Sequence, residues 1–186
     1  MEGSNKYEMT IDLNVLDHLG INLYSSTPPV LSEVVANSYD ADATRVDIKI
    51  IDGESSEIRI SDNGEGMDIE DINRKYLHVG YRRRENDEAV SKKFHRQVMG
   101  RKGLGKLSLL SIARCIEIHT KKESSEGEAF AIRLEDLQSS ITKGEKTYHP
   151  AEIEFKSELV EGVSGTTVII TDIKSSVNRT ESYLRP

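Results

Sequence analysis

Little in this sequence suits a membrane, an oxidising compartment or a whole-surface grip on nucleic acid. Its single cysteine, Cys115, cannot form an internal disulfide, which agrees with a reducing, cytoplasmic setting. No apolar run approaches the roughly 20 residues of a membrane helix, and the polar N-terminus lacks a signal-peptide core. Twenty-five basic residues against 32 acidic ones leave a net charge of −7. That excludes a bulk positive field for nucleic acid, though not a local basic patch. Internal repeats and low-complexity tracts are also missing. What remains is a chain of 186 residues, 36% hydrophobic and 31% charged, long enough to bury a core without a metal or disulfide staple. It reads as one globular domain spanning 1–186, expected to be the N-terminal part of a longer protein.

Periodicity supplies the elements. Leu13, Leu16 and Leu19 mark a short helix ending at Gly20. Pro28 and Pro29 open a second, in which Leu31, Val34, Val35 and Ser38 recur at helical spacing up to Asp40. Alternation at Val46, Ile48 and Ile50, the turn pair Asp52-Gly53, and Ile58 and Ile60 predict a hairpin. Helical spacing resumes through Ile69, Ile72 and Tyr76. Residues 81–99, highly charged and aperiodic, read as a long mobile loop, and the glycines after it open a helix through Leu107, Leu110, Ser111 and Arg114. Ile116-Ile118, Phe130–Leu134, Ile153–Phe155 and Val168–Ile170 read as strands, with polar connections at 121–128 and 138–150. Cys115 is expected to be a small core residue. His78, His95, His119 and His149 show no metal-ligand spacing, so no zinc site is expected. The order predicts an α+β fold, a two-layer sandwich with a mostly antiparallel mixed sheet covered on one face by helices.

Three clusters carry chemistry. Glu33 and Asn37 lie four apart on one helix, with Asp40 close to the same face. A carboxylate beside a carboxamide can orient water and offer an oxygen to a hard cation, although a solvated polar face is the commoner meaning of such a pair alone. Asp62-x-Gly64-x-Gly66 places an acceptor at a strand end before a backbone that can turn tightly around a flat ligand, or is a plain turn. Gly100-x-x-Gly103-x-Gly105-Lys106 leaves backbone N–H groups at a helix start for a phosphate, with close helix packing as the alternative. The glycine spacing is neither that of the P-loop nor the dinucleotide pattern.

In this order and spacing, Glu33-x-x-x-Asn37-Ser38-x-Asp40-Ala41, Asp62-Asn63-Gly64-Glu65-Gly66-Met67 and the glycine-rich helix start resemble the GHKL ATPase superfamily. Gyrase-type topoisomerases, heat-shock chaperones, histidine kinases and MutL proteins make up that group. The resemblance covers roughly residues 10 to 175, and Gly165-Thr166-Thr167 resembles the family's late threonine, either hydroxyl matching. It implies the helix-covered ATP-binding fold of that group, with ATP and Mg²⁺ as cofactors. Asn37 would complete the metal shell, with Asp40 on the same face of the nucleotide site. Asp62 would read the adenine amine; Gly66 and Met67 would line the base pocket, with Thr166 or Thr167 beside it, and Gly64 would also belong to the nucleotide site. The backbone at Gly100, Gly103, Leu104, Gly105 and Lys106 would hold phosphates, and 81–99 would be the lid. Glu33 would be the general base, which favours hydrolysis over transfer to a protein histidine. Gly100–Ser108 and Val79–Arg84 look most like prokaryotic chaperone-like and MORC-type ATPases.

Between Tyr81 and Lys106, nine basic residues face three acidic ones, so this segment carries +6. A lid over the triphosphate is the preferred reading, with a nucleic-acid contact or a solvated loop as alternatives. The family usually draws a further lysine to the γ-phosphate from a second domain, so slow hydrolysis is expected of this chain alone. Homodimer closure through residues 1–12 is expected in the full-length protein. Two other functions stay open, a histidine-type protein kinase and a nucleotide-sensing module without turnover.

Overall fold

The computed structural model describes residues 6–10, 27–53, 56–78, 89–99 and 108–174. The leucine helix predicted at 13–19, His18 and the glycine-rich segment 100–106 lie outside the described residues. In chain order the elements are β1 (Met9–Thr10), α1 (Thr27–Asp40), β2 (Val46–Ile51), β3 (Glu57–Asp62) and α2 (Ile69–Asp71), which widens into a π-helical turn over Ile72–Tyr76. Then follow β4 (Ala113–Lys121), β5 (Glu128–Arg133), α3 (Leu134–Thr142), β6 (Thr147–Tyr148), β7 (Ala151–Glu152) and β8 (Gly165–Ile173).

Six strands form one sheet in the order β2-β3-β8-β4-β5-β7, and β1 pairs with β6 apart from it. Every described pairing is antiparallel. Register alone separates the two faces, because paired residues share a side and neighbours along a strand alternate. Ile58 and Ile60 oppose Ile170 and Val168, which oppose Ile116 and Ile118, which oppose Ile132 and Phe130. These eight side chains are buried and meet Val30, Leu31 and Val34 of α1 and Ile72 after α2. The fold is therefore α+β, with helices over one face of an antiparallel sheet. Tyr7 and Met9 are also fully buried, the Tyr7 ring 4.9 Å from that of Phe130 and its hydroxyl donating to Glu128 at 2.7 Å.

Four sequence expectations need correction. The helix foreseen through Arg114 is, within the described residues, only a 3-10 turn at Leu109–Ser111, and Arg114 already stands in β4. Ile153–Phe155 is not a strand; the pairing falls at Ala151–Glu152. Residues 138–150 are not simply a connection, because α3 runs from Leu134 to Thr142. Leu137 is buried, and Leu134 and Ile141 pack against the core at helical spacing. Cys115 is half-buried on the sheet's other face and not part of the core.

Candidate functional site

Asp62 is the last residue of β3 and shares the helix-covered face with Ile58 and Ile60, two and four residues before it. One carboxylate oxygen accepts the Gly64 N–H at 2.9 Å, and the other accepts the Ser38 hydroxyl of α1 at 2.8 Å. Burial raises its pKa above the usual carboxylate range, opposed by Gly64, Ser38 and the Thr166 backbone. Thr166 is its cross-strand partner on β8, so both side chains rise from the same face. Thr167 rises from the opposite face, where it is fully buried; its hydroxyl lies 2.9 Å from that of Ser61 and donates to the Leu159 carbonyl.

Helix α1 lies over this strand end. At about 100° per residue, Glu33, Asn37 and Asp40 fall within about 60° of one another, on a flank beside the buried stripe of Val34 and Ser38. Glu33 is half-buried and Asn37 exposed, whereas Asp40 is buried. Its carboxylate accepts the Met99 N–H at 2.7 Å. Asp42, just past the helix at φ +60°, accepts the N–H groups of Lys93 and Phe94 at 2.7 and 3.3 Å. Burial pushes the Asp42 carboxyl up, but the Ser91 hydroxyl, those two N–H groups and Arg96 outweigh it, so its pKa is lowered. Arg96 donates to the Ala43 carbonyl at 2.7 Å and stands between the Tyr39 and Phe94 rings, 4.7 and 4.6 Å from their centres. Residues 89–99, the described part of the segment 81–99 that the sequence suggests is a mobile lid, are thus fastened onto the end of α1, and 81–88 lie outside the described residues.

Gly66 and Met67 are held against the end of β4. Gly66 has φ +68°, and a β-carbon there would collide with the Lys121 carbonyl, so only glycine fits. Met67 N–H donates to the Thr120 hydroxyl at 2.9 Å, and that hydroxyl lies 2.9 Å from the Thr166 hydroxyl. The Lys122 ammonium bridges Asp68 and Asp71 at 2.7 and 2.6 Å, which holds the Asp68 carboxyl down at about 2. Asp68 also caps α2 by accepting the Asp71 N–H. Asp62, Gly64, Gly66, Met67 and Thr166 are therefore brought to one end of the sheet, under the helix carrying Glu33 and Asn37.

A family model described as histidine kinase-, DNA gyrase B- and HSP90-like ATPase matches residues 24–166. The chain belongs to the GHKL ATPase superfamily. It is 38% identical over 96% of its length to a protein of Herpetosiphon aurantiacus described as a candidate type II restriction enzyme, HgiDII, of which it covers 28%. It is 30% identical over 84% of its length to the DNA mismatch repair protein MutL of Cellvibrio japonicus and 28% identical over 84% to that of Heliobacterium modesticaldum, covering 22% and 21% of them. The chain thus spans less than a third of these relatives. Membership in the superfamily is consistent with ATP binding, and no helix among the described residues is long and apolar enough to cross a membrane.

The donor set fits Mg²⁺ delivered with a nucleotide better than a free ion. Among the described residues no group of three His, Cys, Asp or Glu could cage a metal. Mg²⁺ commonly takes only one or two protein oxygens and completes its shell with phosphates and water, which the exposed Asn37 carboxamide suits. Sequence reasoning missed Thr120, Asp42 and Lys122, which fasten the segments carrying the candidate residues. Thr120 and Lys122 reach Met67 and Asp68 across more than 50 positions, a pairing no local pattern announces.

Proposed function

We propose that this chain is a Mg²⁺-dependent ATP-binding domain that hydrolyses ATP slowly, its nucleotide state governing dimer closure of a larger protein. The observation that carries the reading is the half-buried Asp62 carboxylate, its pKa raised, beside Thr166 and under the helix bearing Glu33 and Asn37. Asp62 accepts the exocyclic amine of adenine, Thr166 meets the same base edge, and Gly64, Gly66 and Met67 wall the base. Thr167, facing the other side of the sheet, is left out of the pocket. Asn37 holds Mg²⁺, which when bound neutralises phosphate charge. The backbone of Gly100, Gly103, Leu104, Gly105 and Lys106 holds the β- and γ-phosphates. Glu33 takes a proton from water as the water oxygen attacks the γ-phosphorus in line and ADP leaves.

The names of the relatives support placing this domain in a DNA-directed protein, with the basic stretch Arg82–Lys106 closing over the triphosphate. Glu33→Ala tests the chemistry. It is expected to retain ATP binding while phosphate release falls by roughly 100-fold or more, the usual scale for losing a general base. Phosphate release unchanged in Glu33→Ala would overturn the assignment of the base. ATP bound without any release by the wild type would instead favour a nucleotide-sensing module.

A further inference from the structure

Thr120 is fully buried on β4, on the helix-covered face, and its hydroxyl has three neighbours. Met67 N–H donates to it at 2.9 Å, the Gly165 carbonyl lies at 3.2 Å, and the Thr166 hydroxyl at 2.9 Å. We propose that Thr120 is a positioning residue that sets the direction of the Thr166 hydroxyl, and through it the purine preference of the pocket. The proposal rests on the reading that Asp62 and Thr166 meet a base.

A threonine hydroxyl carries one proton and two lone pairs. Met67 N–H can only donate, so one lone pair of Thr120 is committed. Its own proton goes either to Gly165 O or to Thr166 Oγ1. If it goes to Gly165, Thr166 must donate to Thr120 and offers a ligand only lone pairs. If it goes to Thr166, the Thr166 proton is released toward the pocket. The second arrangement places a donor, Thr166, beside an acceptor, the Asp62 carboxylate, on directly paired positions of neighbouring strands.

That acceptor–donor pair complements a 6-aminopurine, whose amine donates and whose adjacent ring nitrogen accepts. A 6-oxopurine presents the reverse pattern on its pairing edge, an oxygen that accepts beside a ring N–H that donates. It would set its oxygen against Asp62, with a buried polar mismatch as the result. The ring nitrogens of adenine only accept, so its binding selects the state in which Thr120 donates to Thr166. A valine at 120 keeps the shape of the strand but leaves Met67 N–H unpaired and Thr166 without its orienting partner.

Binding of ATP, GTP, 1-deaza-ATP and 7-deaza-ATP to the 186-residue chain, followed by calorimetry, tests this in wild type, Thr120→Val and Thr120→Ser, with a melting curve for each variant. Wild type is expected to prefer ATP to GTP and to lose about tenfold in affinity with 1-deaza-ATP, which lacks the pairing-edge ring nitrogen, but not with 7-deaza-ATP, so that 1-deaza-ATP is the informative analogue. Thr120→Val is expected to lose about tenfold for ATP, to become indifferent to that analogue, and to narrow the ATP-to-GTP preference. Thr120→Ser, which keeps the hydroxyl, is expected to restore all three. Should Thr120→Val fail to fold, Thr120→Cys, whose thiol is a weak hydrogen-bonding group, takes its place. The proposal is overturned if the hydroxyl-deficient variant binds ATP like wild type, keeps the full penalty with the deaza analogue, or is not rescued by serine. A wild type that binds no ATP fails one step earlier, at the pocket reading itself.

Discussion

Asp62 closes β3 with its side chain half-buried, and desolvation raises its pKa against the pull of Gly64, Ser38 and the Thr166 backbone. A group whose folded pKa is raised binds its proton more readily in the folded state. Its contribution to stability is fully present below the unfolded value of 3.8 and is lost as pH rises through the folded value. At neutral pH the charge is therefore held at a cost that Gly64, Ser38 and the Thr166 backbone offset only in part. Asp62→Asn is expected to melt no lower than wild type at pH 7 in the absence of nucleotide, and a lower melting temperature would contradict this. His119 works in the opposite sense on the far face. It is fully buried, its Nε2 has no hydrogen-bond partner, and burial lowers its pKa although Glu117, with a carboxylate oxygen 3.8 Å from Nε2, pulls it up. Stability from the neutral imidazole is present above the unfolded value of 6.5 and is lost as pH falls through the lowered folded value. Melting curves between about pH 7.5 and 5 should show a decline that His119→Gln flattens.

Elements built on an unbroken period were legible in the sequence, and those meeting at a join were not. α1 was readable because Leu31, Val34 and Ser38 keep one face and Pro28 and Pro29 occupy its first turn, where no N–H is needed. The β2–β3 hairpin was readable from its alternating isoleucines. α3 was hidden because the apolar run Phe130–Leu134 crosses from strand into helix, and alternation absorbed Leu134 before its helical partners Leu137 and Ile141 came into view. The site divides in the same way. Glu33, Asn37, Asp62 and Gly66 sit in short motifs, whereas Thr120 looks like any polar strand residue until β4 is paired with β8. Two consequences belong to this scale. Gly66→Ala forces a β-carbon into the Lys121 carbonyl at a left-handed position and is expected to cost about 2 kcal/mol or more in a urea melt. Asp42→Ala removes the acceptor for two backbone N–H groups. The Lys93 and Phe94 amides are expected to lose hydrogen-exchange protection while those of β8 keep theirs.

At the scale of the molecule, a chain of net charge −7 carries a +6 sequence segment at 81–106, and its described residues 89–99 are fastened to the end of α1 through Asp40, Asp42 and the Ala43 carbonyl. Glu33 and Asn37 on α1, Asp62 through Ser38, and residues 89–99 through Asp40 and Asp42 are thereby tied to one helix. Lys6–Thr10 folds onto its own chain through β6 and the Phe130 ring. An arm that crosses to a second copy would therefore begin outside this short strand or would have to release it. The central claim is that the pocket at the ends of β3 and β8 takes ATP. Calorimetric titration of the chain with ATP and Mg²⁺, with Asp62→Asn beside wild type, tests it most directly. Saturable binding is expected of the wild type and none of a variant that is folded and no less stable. Equal binding by both, or no binding by a folded wild type, would contradict it.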